Sequence, residues 1–139
     1  MIIPDLTDKH EVKVKDATFT LRVLSAKTYR SLISRLSFLR ELSNNITKDS
    51  MESLKAENPQ KYEEVNEKLH EVFQDFIKEG VVGHSGITKK DGTEIPFQAD
   101  EKGKVSDETL EAYDRAHVTY VLASEAIAFN TMPETDRKN

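Results

Sequence analysis

Between His10 and Leu24 apolar and polar positions alternate. Val12 and Val14 stand among Glu11, Lys13 and Lys15, and Phe19, Leu21 and Val23 among Thr20 and Arg22. A period of two predicts strands, and Asp16-Ala17 between the runs makes them a β-hairpin. The apolar side chains of both strands then share one face. A two-stranded hairpin is marginal alone in water, so that face must pack on something.

After Ser25, a plausible N-cap, the period changes to three and four. Tyr29, Leu32, Ile33, Leu36 and Leu39 form a helical stripe that Leu42 extends, and the helix ends near Asn44-Asn45. Phe38 lies off the stripe and marks a candidate contact surface. Thr47 to Glu57 is polar, with Met51 and Leu54 as its only apolar anchors. Asn58-Pro59 starts the next helix, with Asn at the cap and Pro at the first helical position. Tyr62, Val65, Leu69, Val72, Phe73, Phe76 and Ile77 fall on one of its faces, and Gly80 is a natural C′ residue.

From Val81 to Gln98 glycines interrupt the pattern. Asp91-Gly92 is a turn signal, and Ile95 and Phe97 straddle Pro96 as in an edge strand or extended loop. We read a loop or small hairpin here, followed by a polar, mobile stretch from Ala99 to Val105. Ser106-Asp107-Glu108 then opens the last helix, with a cap and acids at the positive end of the macrodipole. This helix is expected to run to about Asn130 and to stop at Met132-Pro133. From Ala116 to Phe129 it is apolar on more than one side, which places it centrally or at an oligomer contact.

The predicted class is α+β, mainly α: an N-terminal β-hairpin, three main helices and a glycine-containing excursion before the last one. One domain spans 1–139. It divides into an arm and hairpin (1–24), a helical part (25–80), the excursion (81–105), the last helix (106–132) and a frayed tail (133–139).

Composition narrows the function. The 139 residues include 20 Lys+Arg against 25 Asp+Glu, a net charge of −5, and no cysteine. Disulfides, thiolate metal sites and cysteine nucleophiles are therefore excluded. An acidic chain with only the short basic pairs Lys89-Lys90 and Arg137-Lys138 lacks a nucleic-acid footprint. No run approaches the ~20 apolar residues of a membrane span, and Met1-Ile2-Ile3-Pro4-Asp5 does not read as a signal peptide.

His10, His70, His84 and His117 show no ligand spacing of three or four. His84-Ser85 lies outside any nucleophile elbow, so Gly83-His84-Ser85-Gly86 reads as a turn. No phosphate loop or EF-hand pattern occurs. The chain is read as non-enzymatic, with no cofactor or metal.

A resemblance adds to this. The stretch VVGHSGITKKDGTEIPFQADEKGKVSDETL from Val81, the ending NTMPETDRKN and the segment FTLRVLSAKTYRSLISRL resemble small bacteriophage tail assembly chaperones. In that family a long helix ends in a Val-x-Gly-aromatic-x-Gly stretch, followed by an acid-glycine turn, an Ile/Val-Pro-Phe element and a final helix. His84 departs from it by standing where the pattern has Trp, a packing anchor. The resemblance implies a protein of the host cytoplasm, often absent from the finished virion. It would bind the tape measure protein and keep it soluble until tail tube subunits polymerise around it. A structural virion component, such as a tail terminator or head–tail connector, is the alternative.

The residues expected to bind partners are Phe38, His84, Ile87, Ile95, Phe97 and Phe129. Each has a second reading as core packing under a loop, the stronger one for Ile95, Phe97 and Phe129 because large apolar groups are usually buried. Self-association through the over-apolar last helix is a further expectation.

Overall fold

The protein is described from a computed structural model that covers residues 8–44, with side chains to Leu39, and residues 55–131. The first seven residues, Met51 and Leu54, and the tail from Met132 lie outside the described residues.

The hairpin forms as its alternation predicts. β1 (Lys9–Val14) pairs antiparallel with β2 (Ala17–Arg22), with Val12 opposite Phe19 and Val14 opposite Ala17. The turn falls on Lys15-Asp16, one residue earlier than expected, and Lys15 takes φ 56°. Positive φ at the first central residue matches the right-handed twist of hairpin strands. Lys15 Nζ then donates to the Ala116 carbonyl at 3.1 Å.

α1 (Ala26–Asn44) begins after Ser25, whose hydroxyl accepts from the Thr28 amide at 3.2 Å. α2 (Pro59–Gly80) starts as read, with Asn58 accepting from the Lys61 amide. Its end differs from expectation. Gly80 is the last helical residue and not a left-handed C′ residue, and the chain passes straight into extended Val81. A Cβ on Gly80 would sit 3.6 Å from that of Ala126, so the glycine lets a later helix approach closely.

The excursion holds an element that alternation did not reveal. β3 (Val81–Ser85) pairs antiparallel with β2, completing a sheet of order β1-β2-β3. The turn read at Gly83–Gly86 is thus a strand as far as Ser85. Beyond it a small hairpin closes over Asp91-Gly92, with a bridge between Thr88 and Glu94 and the Ile95 amide on the Ile87 carbonyl at 2.7 Å. The stretch from Ala99 to Val105 is a closed turn. Asp100 Oδ1 accepts from the amides of Lys102 and Lys104, each at 2.9 Å.

The last helix is two helices. α3 (Asp107–Arg115) and α4 (Thr119–Thr131) are separated at Ala116-His117-Val118. The Val118 amide bonds the Tyr113 carbonyl at 3.2 Å and the His117 amide bonds the Asp114 carbonyl at 3.1 Å. These are the two bonds of a Schellman stop, with His117 at φ 58° in the place usually given to glycine. Val118 and Tyr113, both buried, provide the accompanying apolar contact.

Two apolar clusters meet along α2. One joins the inner face of the sheet (Val12, Val14, Phe19, Leu21) to Ile77, Tyr113, Leu122, Ala126 and Phe129. The other joins Leu32, Leu36 and Leu39 of α1 to Val72 and Phe76 of α2. Phe73 packs against both, so the helical hairpin and the sheet share one spine.

Candidate partner-binding surface

Phe38 is where its position off the stripe puts it. The stripe residues Leu32, Leu36 and Leu39 turn inward, while the Phe38 ring remains 62% exposed. It flanks a groove of about 270 Å³ between α1 and α2, lined by Arg35, Leu39, Lys68, Glu71 and Val72. Leu39 and Val72 are buried and supply the apolar floor. Arg35, Lys68 and Glu71 put charges of both signs around it.

Arg35 also lines a larger, polar cleft of about 870 Å³ under the turn at residues 100–104. Its guanidinium holds Asp75 at 2.6 Å across the two helices. Further along, Lys104 reaches Glu79 at 2.7 Å. That hydrogen bond and the charge behind it hold the Lys104 ammonium above its ordinary range. The long face shared by α1 and α2 is therefore apolar near Phe38 and densely charged near Lys104.

The other predicted contact residues do not join Phe38. His84, Ile95 and Phe97 come together under the excursion. His84 Nε2 bonds the Ile95 carbonyl at 2.7 Å and Nδ1 bonds the Tyr113 hydroxyl at 2.7 Å. The rings of Phe97, Phe19 and Tyr113 meet the imidazole edge-on, with centroids at 5.6, 6.3 and 5.5 Å. His84 is itself a packing anchor, the role assigned above to a Trp. Ile87 is buried with the sheet cluster, against which Ile95 and Phe97 pack half-buried. Phe129 is 1% exposed and its ring stacks on His10 at 5.3 Å. Ile87 and Phe129 are core in this fold, because the sheet face needs a cover and the excursion and α4 provide it.

The sequence reading missed a second exposed apolar site. Tyr120 and Val121, at the start of α4, are 55% and 51% exposed. Tyr120 meets Phe73 edge-on at 5.2 Å and lies 6.1 Å from the His70 ring. The excess of apolar residues in this segment was a signal for it, but only the helix break decides which ones face out.

Near Tyr120 a polar knot ties α2 to the helix break. Asp114 accepts from Gln74 at 3.0 Å and from the Thr119 hydroxyl, and its Oδ2 lies 3.0 Å from His70 Nε2. An Asp–His pair needs a positioned nucleophile to act in acyl transfer. Among the described residues no hydroxyl is hydrogen-bonded to His70, while the bonds of Asp114 to Gln74 and Thr119 tie α2 to the start of α4. No group of three His, Cys, Asp or Glu residues capable of holding a metal occurs among the described residues. Nor is any described helix long and apolar enough to cross a membrane.

No protein-family model matches the chain, and no curated protein or solved structure is significantly similar to it.

Proposed function

We propose that this chain is a non-enzymatic tail assembly chaperone that holds a helical client, the tape measure protein, until tail tube subunits replace it. The observation behind this reading is Phe38, an exposed aromatic ring beside an apolar floor with charged walls. A large aromatic group held in water on a rigid helix is a natural anchor for an amphipathic helix laid into a groove. Phe38 would meet the client's apolar residues, with Leu39 and Val72 packed beneath the groove, and Arg35, Lys68 and Glu71 would meet its polar flanks. The net charge of −5 keeps the loaded carrier soluble.

Co-expression with the tape measure protein tests this. The client should move to the soluble fraction with the wild-type chain and stay insoluble with Phe38→Asp. A client equally insoluble with and without the wild-type chain rejects the reading. Stoichiometric amounts of the chain in purified particles would favour a structural virion component.

A further inference from the structure

β1 is one of the two outer strands of the sheet, and its outward edge, unpaired among the described residues, has a charge pattern complementary to itself. The two-residue turn at Lys15-Asp16 makes Val14 and Ala17 the hydrogen-bonded pair that closes the hairpin. Val12 and His10 then also bond to β2. The N–H and C=O groups of Lys9, Glu11 and Lys13 point away from it. Among the described residues no hydrogen bond reaches these groups. The side chains of the same three residues are exposed.

An unpaired edge templates another strand, and lysines on an edge usually discourage this. Here Glu11 sits between Lys9 and Lys13, which changes the outcome for one partner, a second copy of the chain. Consider antiparallel pairing of β1 with itself about a two-fold axis. The backbone groups meet only in registers that set Lys9, Glu11 and Lys13 opposite one another or opposite Lys15. Centring on Glu11 places Glu11 against Glu11 and Lys9 against Lys13, with like charges opposed throughout. Centring on His10 or on Val12 places Glu11 of each copy against a lysine of the other, Lys9 or Lys13, but the first sets Asp8 against Val12 on the core side, whereas the second sets Val12 against Val12. Unlike charges directly opposite stabilise a strand pair, and like charges destabilise it.

We propose that β1 pairs with β1 of a second copy in the register centred on Val12, joining two sheets into one of six strands. Both Glu11–Lys13 pairs are hydrogen-bonded pairs in this register, which supplies about four main-chain hydrogen bonds. The ladder ends at Lys15, whose positive φ turns the chain out of the strand. On the core side Val12 meets its own copy and His10 meets Val14, so the apolar face continues across the axis. The interface is separate from Phe38 and does not depend on the proposed client.

Charge reversal tests the register with little risk to the fold. Within one chain Glu11 and Lys13 face Thr20 and Thr18, which are uncharged. Sedimentation of the full chain from micromolar to millimolar concentration should show a monomer–dimer equilibrium. Glu11→Lys and Lys13→Glu should each weaken the dimer roughly tenfold, because each brings like charges together at two symmetric places. The double variant E11K/K13E restores unlike pairs and should return dimerisation close to wild type. In the wild type, amide exchange at Glu11 and Lys13 should slow as concentration rises. A chain monomeric throughout, a dimer indifferent to the single reversals, or a double variant as weak as either single one overturns the proposal. Protection of the two amides that is independent of concentration also overturns it, since another part of the same chain would then cover the edge.

Discussion

The Tyr113 hydroxyl donates its hydrogen bond to His84 Nδ1, at 2.7 Å. The direction follows from the other side of the imidazole. Nε2 faces the Ile95 carbonyl, which only accepts, so in the neutral ring Nε2 carries the proton and Nδ1 is the acceptor. Burial pushes the Tyr113 phenol above its ordinary range, which keeps it a donor. One side chain on β3 thereby locks α3 to the excursion. His84→Ala removes both bonds and a ring packed among three aromatics. It should cost about 2–4 kcal/mol, whereas Tyr113→Phe should cost about 1–2 kcal/mol. In urea denaturation the double variant should cost less than the sum of the two, because they share one hydrogen bond.

The helix break at His117 predicts a gain. A non-glycine residue in the left-handed region carries roughly 1–2 kcal/mol of strain. His117→Gly removes that strain but adds freedom to the unfolded chain. The balance should be a stabilisation of about 0.5–1 kcal/mol, seen as a higher melting temperature. A loss of stability would mean that the imidazole makes a contact that outweighs the strain.

Gly86 and Gly92 separate two effects of a side chain. Both have φ near +90°, at 87° and 88°. A Cβ on Gly86 would also lie 2.7 Å from the Asp16 carbonyl oxygen, where β3 ends against the β1–β2 turn. At Gly92 it would meet nothing within 4 Å. Gly92→Ala should cost about 1 kcal/mol, from backbone strain alone. Gly86→Ala should cost at least about 1–2 kcal/mol more, because backbone must move. Equal losses for the two variants in thermal unfolding would show that the close approach is relieved without cost.

Phe38→Asp should leave stability within about 0.5 kcal/mol of wild type, since the ring is largely in water. Phe129→Ala should cost about 3–5 kcal/mol, as for a fully buried ring. Guanidinium melts of the two variants check this contrast, and a large loss at Phe38 would make that ring structural.

The excursion should loosen in acid. Asp91 is held below the usual carboxylate range by the Thr93 amide, and Asp100 chiefly by the Lys104 amide. A carboxyl depressed in the folded state adds stability above its unfolded value, near 3.8 here, and loses it as pH falls through the folded value. Carboxyl NMR shifts should therefore show both groups titrating below 3.8, with the Thr93, Lys102 and Lys104 amides losing protection over the same range.

Much of this architecture is local and so was legible in the residue order. The alternation of Val12, Val14, Phe19 and Leu21 specifies a hairpin with one inner face. The spacing of Leu32, Leu36 and Leu39 specifies a helix and leaves Phe38 outside it. Asn58-Pro59 and Ser106-Asp107 place two helix starts. Each of these signals acts within one turn or one strand pair, where side-chain spacing and capping chemistry are sufficient.

Three features depended on the tertiary structure. Residues Val81–Ser85 lack clean alternation, and they become a strand because β2 offers an unpaired edge to them. No glycine or proline marks the end of α3. The break forms because Val118 and Tyr113 bury together and Asp114 is held by Gln74 and Thr119. The sequence left His84 open between a contact surface and packing under a loop, and it is half-buried because Tyr113 and Ile95 supply both of its hydrogen bonds. The chain's own order thus determined which elements form. Burial across elements determined where one stops, which edge gains a strand and which polar group can leave water.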